Sequence, residues 1–443
     1  MTRRATTPTG DAPPRRALVV ACYELGRPPH GVALAAAALS RAGWSVRAVD
    51  LSVDRLDDDA VHGADAVAIA VPMHTALRLG AAVGRRVRAA RPGIPIVYFG
   101  SYAPLNEAYL RACGADAVVA GECESALVDA MAGRTPAAPV SLSRARLPVP
   151  RRDVLPPLSR YAKLVDAGGR QRLAGYTEAT RGCLHMCRHC PIPPIYGGRL
   201  VPVDRDVVLA DIAQQIAAGA EHISFGDPDF WCGPGHAMRI LRDMHDRWPG
   251  VSFDATIKIE HLLRHAALLP ELRRLGCAFV VSAVEAVDDR VLAKLAKGHT
   301  RADVDRALAL AREAGVPVRP TFVPFTPWID LPGLLDLLDF IESRDLVGAV
   351  DPVQLTVRLL VPPGSLLADE PEMGPVDAER LTHVWTHRDE RVDALQRRAE
   401  AIVAAGGDYA AVRAAYYQAA GVALPPLRPP ERIAPRMTEP WFC

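Results

Sequence analysis

Thr180-Arg181-Gly182-Cys183-Leu184-His185-Met186-Cys187-Arg188-His189-Cys190-Pro191 follows directly on residues 175–179, which read as a β-strand. Cysteines in the pattern CxxxCxxC on a strand-following loop can give three thiolates to a four-iron cluster. That leaves one iron without a protein ligand, open to chemistry. A structural zinc ion is instead closed by four ligands, usually from two pairs. His185 or His189 could be the fourth, which makes a zinc knuckle the alternative, although both lie inside the loop and no second pair follows. A cluster that only carries electrons would want a fourth cysteine. The chain has nine cysteines, and Cys22, Cys113, Cys123, Cys232, Cys277 and Cys443 stand singly. Cys22, Cys113, Cys232 and Cys277 read as ordinary small core or surface residues.

Around the motif, apolar runs alternate with helix-like segments. Strands are expected at 175–179, 222–225, 252–257, 278–284, 318–323 and 353–360, and helices at 206–218, 234–247, 259–275, 288–295, 301–314 and 331–342. Six such units are fewer than a closed eight-unit barrel needs, so a partial TIM barrel is expected over 175–365. Beyond it, 366–443 is expected to be a helical extension: 376–420 reads as helices, and 424–443 is Pro-rich and irregular.

Upstream, 137–174 reads as a linker, its first part rich in Pro and Arg without periodicity. Short Val/Ile/Ala runs at 17–22, 45–50, 66–71, 94–98 and 117–120 alternate with helices at 32–43, 77–90, 106–113 and from 124. That pattern implies an α/β domain, a doubly wound Rossmann-like parallel sheet over 16–136, after a disordered 1–15. Such sheets bind ligands at the carboxyl ends of their strands, here the loops 23–31, 72–75, 100–104 and 121–124.

Lys plus Arg number 52 against 51 Asp plus Glu, so no global field favours nucleic acid or a membrane surface. No signal-peptide or membrane-spanning run stands out, and a cytoplasmic protein with reduced thiols is expected.

The cysteine motif resembles that of the radical S-adenosylmethionine superfamily, and Cys183, Cys187 and Cys190 match it one for one. The resemblance implies a 4Fe–4S cluster whose open iron is chelated by S-adenosylmethionine, with reductive cleavage to a 5′-deoxyadenosyl radical. It places Gly226 and Asp227, in Ser224-Phe225-Gly226-Asp227, at the methionine amino group, and Ser282 and Glu285 at the ribose. His189 departs from the aromatic residue of many members. Lys258, one of four lysines, ends a strand and reads equally as a substrate-carboxylate partner or a solvated charge.

The first domain resembles the cobalamin-binding domain attached to many of these enzymes. Pro28-Pro29-His30-Gly31, Phe99-Gly100-Ser101-Tyr102 and Gly121-Glu122-Cys123-Glu124 carry that resemblance, making Gly31, Ser101, Gly121 and Glu122 candidate cobalamin contacts. The Asp-x-His-x-x-Gly signature for a lower axial His is absent, so cobalamin would bind without one.

A narrower resemblance rests on Tyr23-Glu24-Leu25-Gly26, Val71-Pro72-Met73-His74-Thr75-Ala76-Leu77-Arg78, Cys190-Pro191-Ile192-Pro193-Pro194, Phe225-Gly226-Asp227-Pro228-Asp229-Phe230, Phe322-Val323-Pro324-Phe325-Thr326-Pro327-Trp328 and Thr438-Glu439-Pro440-Trp441-Phe442-Cys443. These are similar to a bacterial radical SAM group named for its Cys-Sec-Ala-Glu-Pro or Cys-Cys-Ala-Glu-Pro tail. The sequence stops at the first residue of that tail; a selenocysteine UGA codon read as a stop and a natural truncation both fit. The resemblance makes Cys443 a candidate catalytic thiol. The expected partners are a small-molecule or peptide substrate and an electron donor such as a flavodoxin or ferredoxin, with no nucleic acid and no membrane. The rival expectation is a non-catalytic zinc module recognising a partner or nucleic acid.

Overall fold

The computed structural model describes residues 13–143 and 146–439. The first sheet is built from β1 (Arg16–Ala21), β2 (Ser45–Asp50), β3 (Ala66–Ala70), β4 (Ile96–Phe99), β5 (Ala117–Gly121) and β6 (Val140–Ser141). Its strands are all parallel, in the order β2-β1-β3-β4-β5-β6. The central strands are buried on both faces, whereas β2 alternates as an edge strand does. Val32, Ala35 and Leu39 of the helix His30–Arg41 cover one face with Leu127 and Met131, and Leu77, Ala81 and Val87 of the helix His74–Ala90 cover the other. Gly84 of the latter helix is required by packing: a Cβ there would run into the hydroxyl of Tyr98, which lies buried on β4 and donates to Gly80 O at 3.2 Å. Strand order reverses between β1 and β3, which marks a ligand-binding crevice at their carboxyl ends.

The second half contributes β7 (Lys163–Val165), β8 (Gln171–Thr177), β9 (Thr180–Gly182), β10 (Leu200–Pro202), β11 (His222–Phe225), β12 (Ser252–Thr256), β13 (Cys277–Glu285), β14 (Val318–Phe322), β15 (Val376–Asp377), β16 (Thr382–His383) and β17 (Arg436–Met437). Among the described residues its main sheet runs β14-β13-β12-β11-β8-β7-β17, parallel from β14 to β8 and antiparallel at β7 and β17. This is an open, curled half-barrel. The helices Arg205–Ala217, Pro234–Arg247, Arg301–Glu313 and Leu331–Ser343 line its convex side through one large apolar core.

Five expectations are corrected. Residues 353–360 form no strand: Pro352, which has no N–H to give a ladder, opens a short 3-10 turn, Pro352–Leu355, and a single bridge, Phe325 to Arg358, follows. The helix expected at 259–275 is broken into Ile259–Arg264, Ala266–Leu268 and Leu269–Arg274, with Pro270 opening the last piece. Residues 376–389 begin with the β15–β16 hairpin, turned at Leu381 (φ 57°), and helices resume only at Glu390–Ala404 and Tyr409–Ala420. The stretch read as a linker supplies β6, β7 and the start of β8, and the irregular tail supplies β17, whose Met437 packs among Leu164, Phe279 and Val281. Strands of two or three residues carry no periodicity, which is why the sequence hides them. No helix among the described residues is long and apolar enough to cross a membrane.

Candidate iron–sulfur and cofactor site

The cysteine loop leaves β9 and returns through β10, whose antiparallel pairing sets Gly182 opposite Leu200. Gly182 takes φ 71°, and a Cβ would run into Arg199 O and the Tyr196 ring, so only glycine allows this exit. Cys183 and Cys187 are buried and Cys190 is partly so. Burial first, and then the neighbouring Cys187 and Cys183, push the Cys190 thiol up to about 12. Three neighbouring thiols on one loop share negative charge most readily on a cation, which a cluster provides. The loop is braced from outside: Arg188 N donates to Leu295 O (3.0 Å), Ser365 Oγ to Arg188 O (3.0 Å), and Glu370 pairs with Arg188 (2.6 Å) and Lys294 (2.8 Å).

Two buried cations adjoin the thiols. Lys258 Nζ lies 3.9 Å from Cys187 Sγ and 3.8 Å from Glu260. Lys297 Nζ lies 3.2 Å from Glu285 Oε1; burial opposes its charge, but Glu285 and the Cys187 and Cys190 sulfurs outweigh burial and raise its pKa. Glu285 is correspondingly held at about 2, because Lys297 and His189 (3.3 Å) overcome its desolvation. Half of the chain's four lysines therefore sit against the cysteine loop, in keeping with an anionic sulfur site.

The remaining candidates gather at the carboxyl ends of β11 and β13. Gly226 follows β11, where a Cβ would run into the Tyr176 hydroxyl. The Asp227 carboxylate accepts from Thr180 Oγ1 (2.6 Å) and Ala179 N (3.0 Å). Its side chain therefore fastens the β8–β9 turn; burial pushes it up to about 6 against those hydrogen bonds. Ser282 is fully buried and donates to Ile257 O (2.7 Å), and Glu285 adopts φ 69° where β13 shifts register against β14.

Sequence reasoning missed Lys297 and misread Cys232. Cys232 is no ordinary small residue, since its Sγ lies 3.7 Å from Cys183 Sγ, and the contact between the two sulfurs holds the Cys183 thiol below its usual range. That contact spans 49 residues and has no spacing signal. Among the described residues one group of His, Cys and carboxylate donors closes to within 4.8 Å, formed by His185, Asp229, Cys232 and His261, and it does not contain the three motif cysteines. Cys443 lies outside the described residues.

The first sheet turns the carboxyl ends of its strands to the barrel. Arg181 of β9 pairs with Glu124 (2.7 Å) and Glu122 (3.4 Å), and approaches Glu178 (3.8 Å). Arg152 binds Asp211 through both Nε and Nη2 (2.7 Å each) and reaches Tyr176 O (2.6 Å) and His30 Nδ1 (2.9 Å). Burial and Asp50 push Glu24 up to about 8, and burial pushes Glu178 up to about 7. Of the candidate cobalamin contacts, Gly31 opens a helix with room beyond it, a Cβ there meeting only the Phe99 ring at 3.8 Å, and Ser101 starts the short helix Tyr102–Leu105. Gly121 (φ 76°) is required by its own chain, because a Cβ would run into Ser141 O across the β5–β6 pair. Glu122 is 3% exposed, and its Oε1, with Glu124 Oε2 and Arg152 Nη1, is buried without a hydrogen-bond partner. Such orphaned donors and acceptors fit a ligand edged with amides, as cobalamin is.

Residues 177–338 match the radical SAM superfamily, and residues 16–131 match the B12 binding domain. The chain carries a B12-binding domain followed by a radical SAM domain. These domains imply a 4Fe–4S cluster with S-adenosylmethionine, and cobalamin. A curated Methanocaldococcus jannaschii protein, MJ0865, whose name proposes a methylthiotransferase, is 23% identical over 200 residues, 41% of this chain and 42% of its own. The chain thus spans less than half the length of that relative. Among solved structures, the cobalamin-dependent S-adenosylmethionine radical enzyme OxsB is similar with TM-score 0.67 at 12% identity, over 88% of this chain and 67% of that one. The radical S-adenosylmethionine methyltransferase TsrM from Kitasatospora setae is similar with TM-score 0.58 at 18% identity, over 76% and 72%. At these identities the likeness shows that the B12-binding and radical SAM domains share a fold with those proteins.

Proposed function

We propose that the chain is a radical SAM enzyme in which Cys183, Cys187 and Cys190 hold three irons of a 4Fe–4S cluster and cobalamin seats against the carboxyl ends of the first sheet. The observation that carries this reading is the gathering of three thiols and two buried lysines at the carboxyl edge of the half-barrel, facing a B12-type sheet. When bound, the cluster and S-adenosylmethionine supply a 5′-deoxyadenosyl radical from the reductively cleaved sulfonium. The chain's own residues prepare the place. Lys258 and Lys297 offset the sulfur charge, Glu285 holds Lys297 and His189 in position, and Asp227 fixes the turn that launches the cysteine loop. Arg181 and Arg152 lock the two domains face to face, and Glu122, Glu124 and Arg152 keep polar atoms for the corrin's edge.

The substrate is a small molecule or peptide, and a flavodoxin or ferredoxin delivers the electron in a reducing cytoplasm. The names of MJ0865 and TsrM favour methyl or methylthio transfer as the outcome. Membership of the group with the Cys-Sec or Cys-Cys tail belongs to the same reading. Within the described residues the tail reaches the first domain, where Glu439 accepts a hydrogen bond from Tyr23 (2.9 Å) in the loop after β1. Anaerobic protein loaded with cluster and cobalamin, given S-adenosylmethionine and a strong reductant, is expected to form 5′-deoxyadenosine, with S-adenosylhomocysteine alongside it as a methyl group passes to the reduced cobalamin. Absence of 5′-deoxyadenosine from protein with a full complement of iron and sulfide would overturn the reading.

A further inference from the structure

Beside the cysteine loop, four side chains from three separate segments turn donor atoms to one point. His185 lies between Cys183 and Cys187, Asp229 and Cys232 lie in the turn after β11, and His261 lies on the helix Ile259–Arg264 after β12. One nitrogen, oxygen or sulfur from each is within 4.8 Å of all the others. His261 Nδ1 is 2.8 Å and His185 Nε2 3.4 Å from Asp229 Oδ2, and the two imidazoles stand 4.9 Å apart, tilted by 53°. The Asp229 side chain has no exposure and that of His261 only 5%. Yet His185 Nε2, Asp229 Oδ2 and His261 Nδ1 are all buried without a hydrogen-bond partner. The atoms are near enough to bond one another and are not aligned to do so, as expected when lone pairs aim at a common centre.

We propose that His185, Asp229, Cys232 and His261 bind a zinc ion distinct from the iron–sulfur cluster. Two imidazoles, a carboxylate and a thiolate form a donor set that zinc takes, with bonds of about 2.0–2.3 Å that set tetrahedral ligands about 3.3–3.8 Å apart. Small side-chain shifts bring the present group to that spacing. Four protein ligands close the shell, so the ion is structural. It clips the cysteine loop to the ends of β11 and β12, and through Cys232 it fixes the neighbour of Cys183. His185, which the sequence offered as a fourth ligand for the motif cysteines, serves this second centre. The site requires no radical chemistry, and its failure is separable from that of the cluster assignment, because iron, sulfide and zinc are measured on the same samples.

The test uses full-length protein with its cluster assembled anaerobically, incubated with zinc sulfate and desalted. About one zinc is expected beside about four irons per chain. Cys232→Ser and His261→Ala should keep iron and sulfide while zinc falls about tenfold. Wild-type protein without zinc, variants that retain it, or variants that lose iron and zinc together would each overturn the proposal. Zinc-edge X-ray absorption on the wild type guards against variants that fail to fold. A nitrogen and oxygen shell with one sulfur is expected, whereas three or four sulfurs would put zinc in the cysteine motif and refute the site.

Discussion

Replacing Cys187 with Ala should abolish the cluster: iron and sulfide per chain, and the broad visible absorbance, are expected to fall at least about tenfold, and 5′-deoxyadenosine formation should vanish with them. In the proposed reading each of the three thiolates carries one iron, and no other described cysteine stands ready to replace one. Cys232 touches Cys183 but belongs to a group that excludes the motif cysteines. With two protein ligands left, the cluster loses both affinity and the geometry that exposes one iron. Cys183→Ala and Cys190→Ala should behave alike. Cys22→Ala and Cys277→Ala are the controls, since both thiols are buried in apolar surroundings that push them above the usual range, Cys22 to about 12. Those two variants should keep the cluster. Full iron and sulfide in any motif variant would contradict the assignment.

Arg152→Leu is expected to destabilise the chain by about 3–5 kcal/mol in urea or thermal unfolding, the cost of leaving a buried carboxylate without its cation. Asp211 is 1% exposed and receives both Arg152 bonds as well as that of Thr177 Oγ1 (2.8 Å). Arg152 also holds Tyr176 O and His30, whose imidazole is kept neutral first by burial and then by the guanidinium, so that Nδ1 can accept. One side chain from a supposed linker thus ties a helix of the first domain to a strand and a helix of the second. Because the penalty lies mostly in the orphaned charge, Arg152→Leu with Asp211→Leu should cost less than the sum of the two single changes. Additive losses, or a loss below about 1 kcal/mol for Arg152→Leu, would show that the pair is not the clasp described.

Much of this was legible from residue order. The runs of Val, Ile and Ala that become β1, β3, β4 and β5 are buried on both faces, and a parallel sheet leaves few other ways to use them. The helix Pro234–Arg247 and the strands Ser45–Asp50 and His222–Phe225 fall where periodicity put them. The cysteine motif was legible because its members are only four and three positions apart in the chain. Long-range partners were hidden. Lys297 meets Glu285 across twelve residues, Cys232 meets Cys183 across 49, and Arg152 meets Asp211 across 59. The turn-fastening bonds of Asp227 were hidden too, since Ala179 and Thr180 lie 48 and 47 residues away in the chain. Residues 353–360 show the converse error, an apolar run whose burial comes from the terminal helices: Gln396 and Tyr416 bind Thr356 O and Leu355 O in place of a strand ladder.

At Cys183, Cys187 and Cys190 the proposed 4Fe–4S cluster keeps one iron open for S-adenosylmethionine. Electron paramagnetic resonance of the dithionite-reduced, cluster-loaded protein reports on that iron. A reduced-cluster signal whose g-values shift when S-adenosylmethionine is added, and do not shift with 5′-methylthioadenosine, which lacks the amino and carboxylate groups that would chelate the open iron, is the expected result. A signal from a fully loaded cluster that S-adenosylmethionine leaves unchanged would contradict the account.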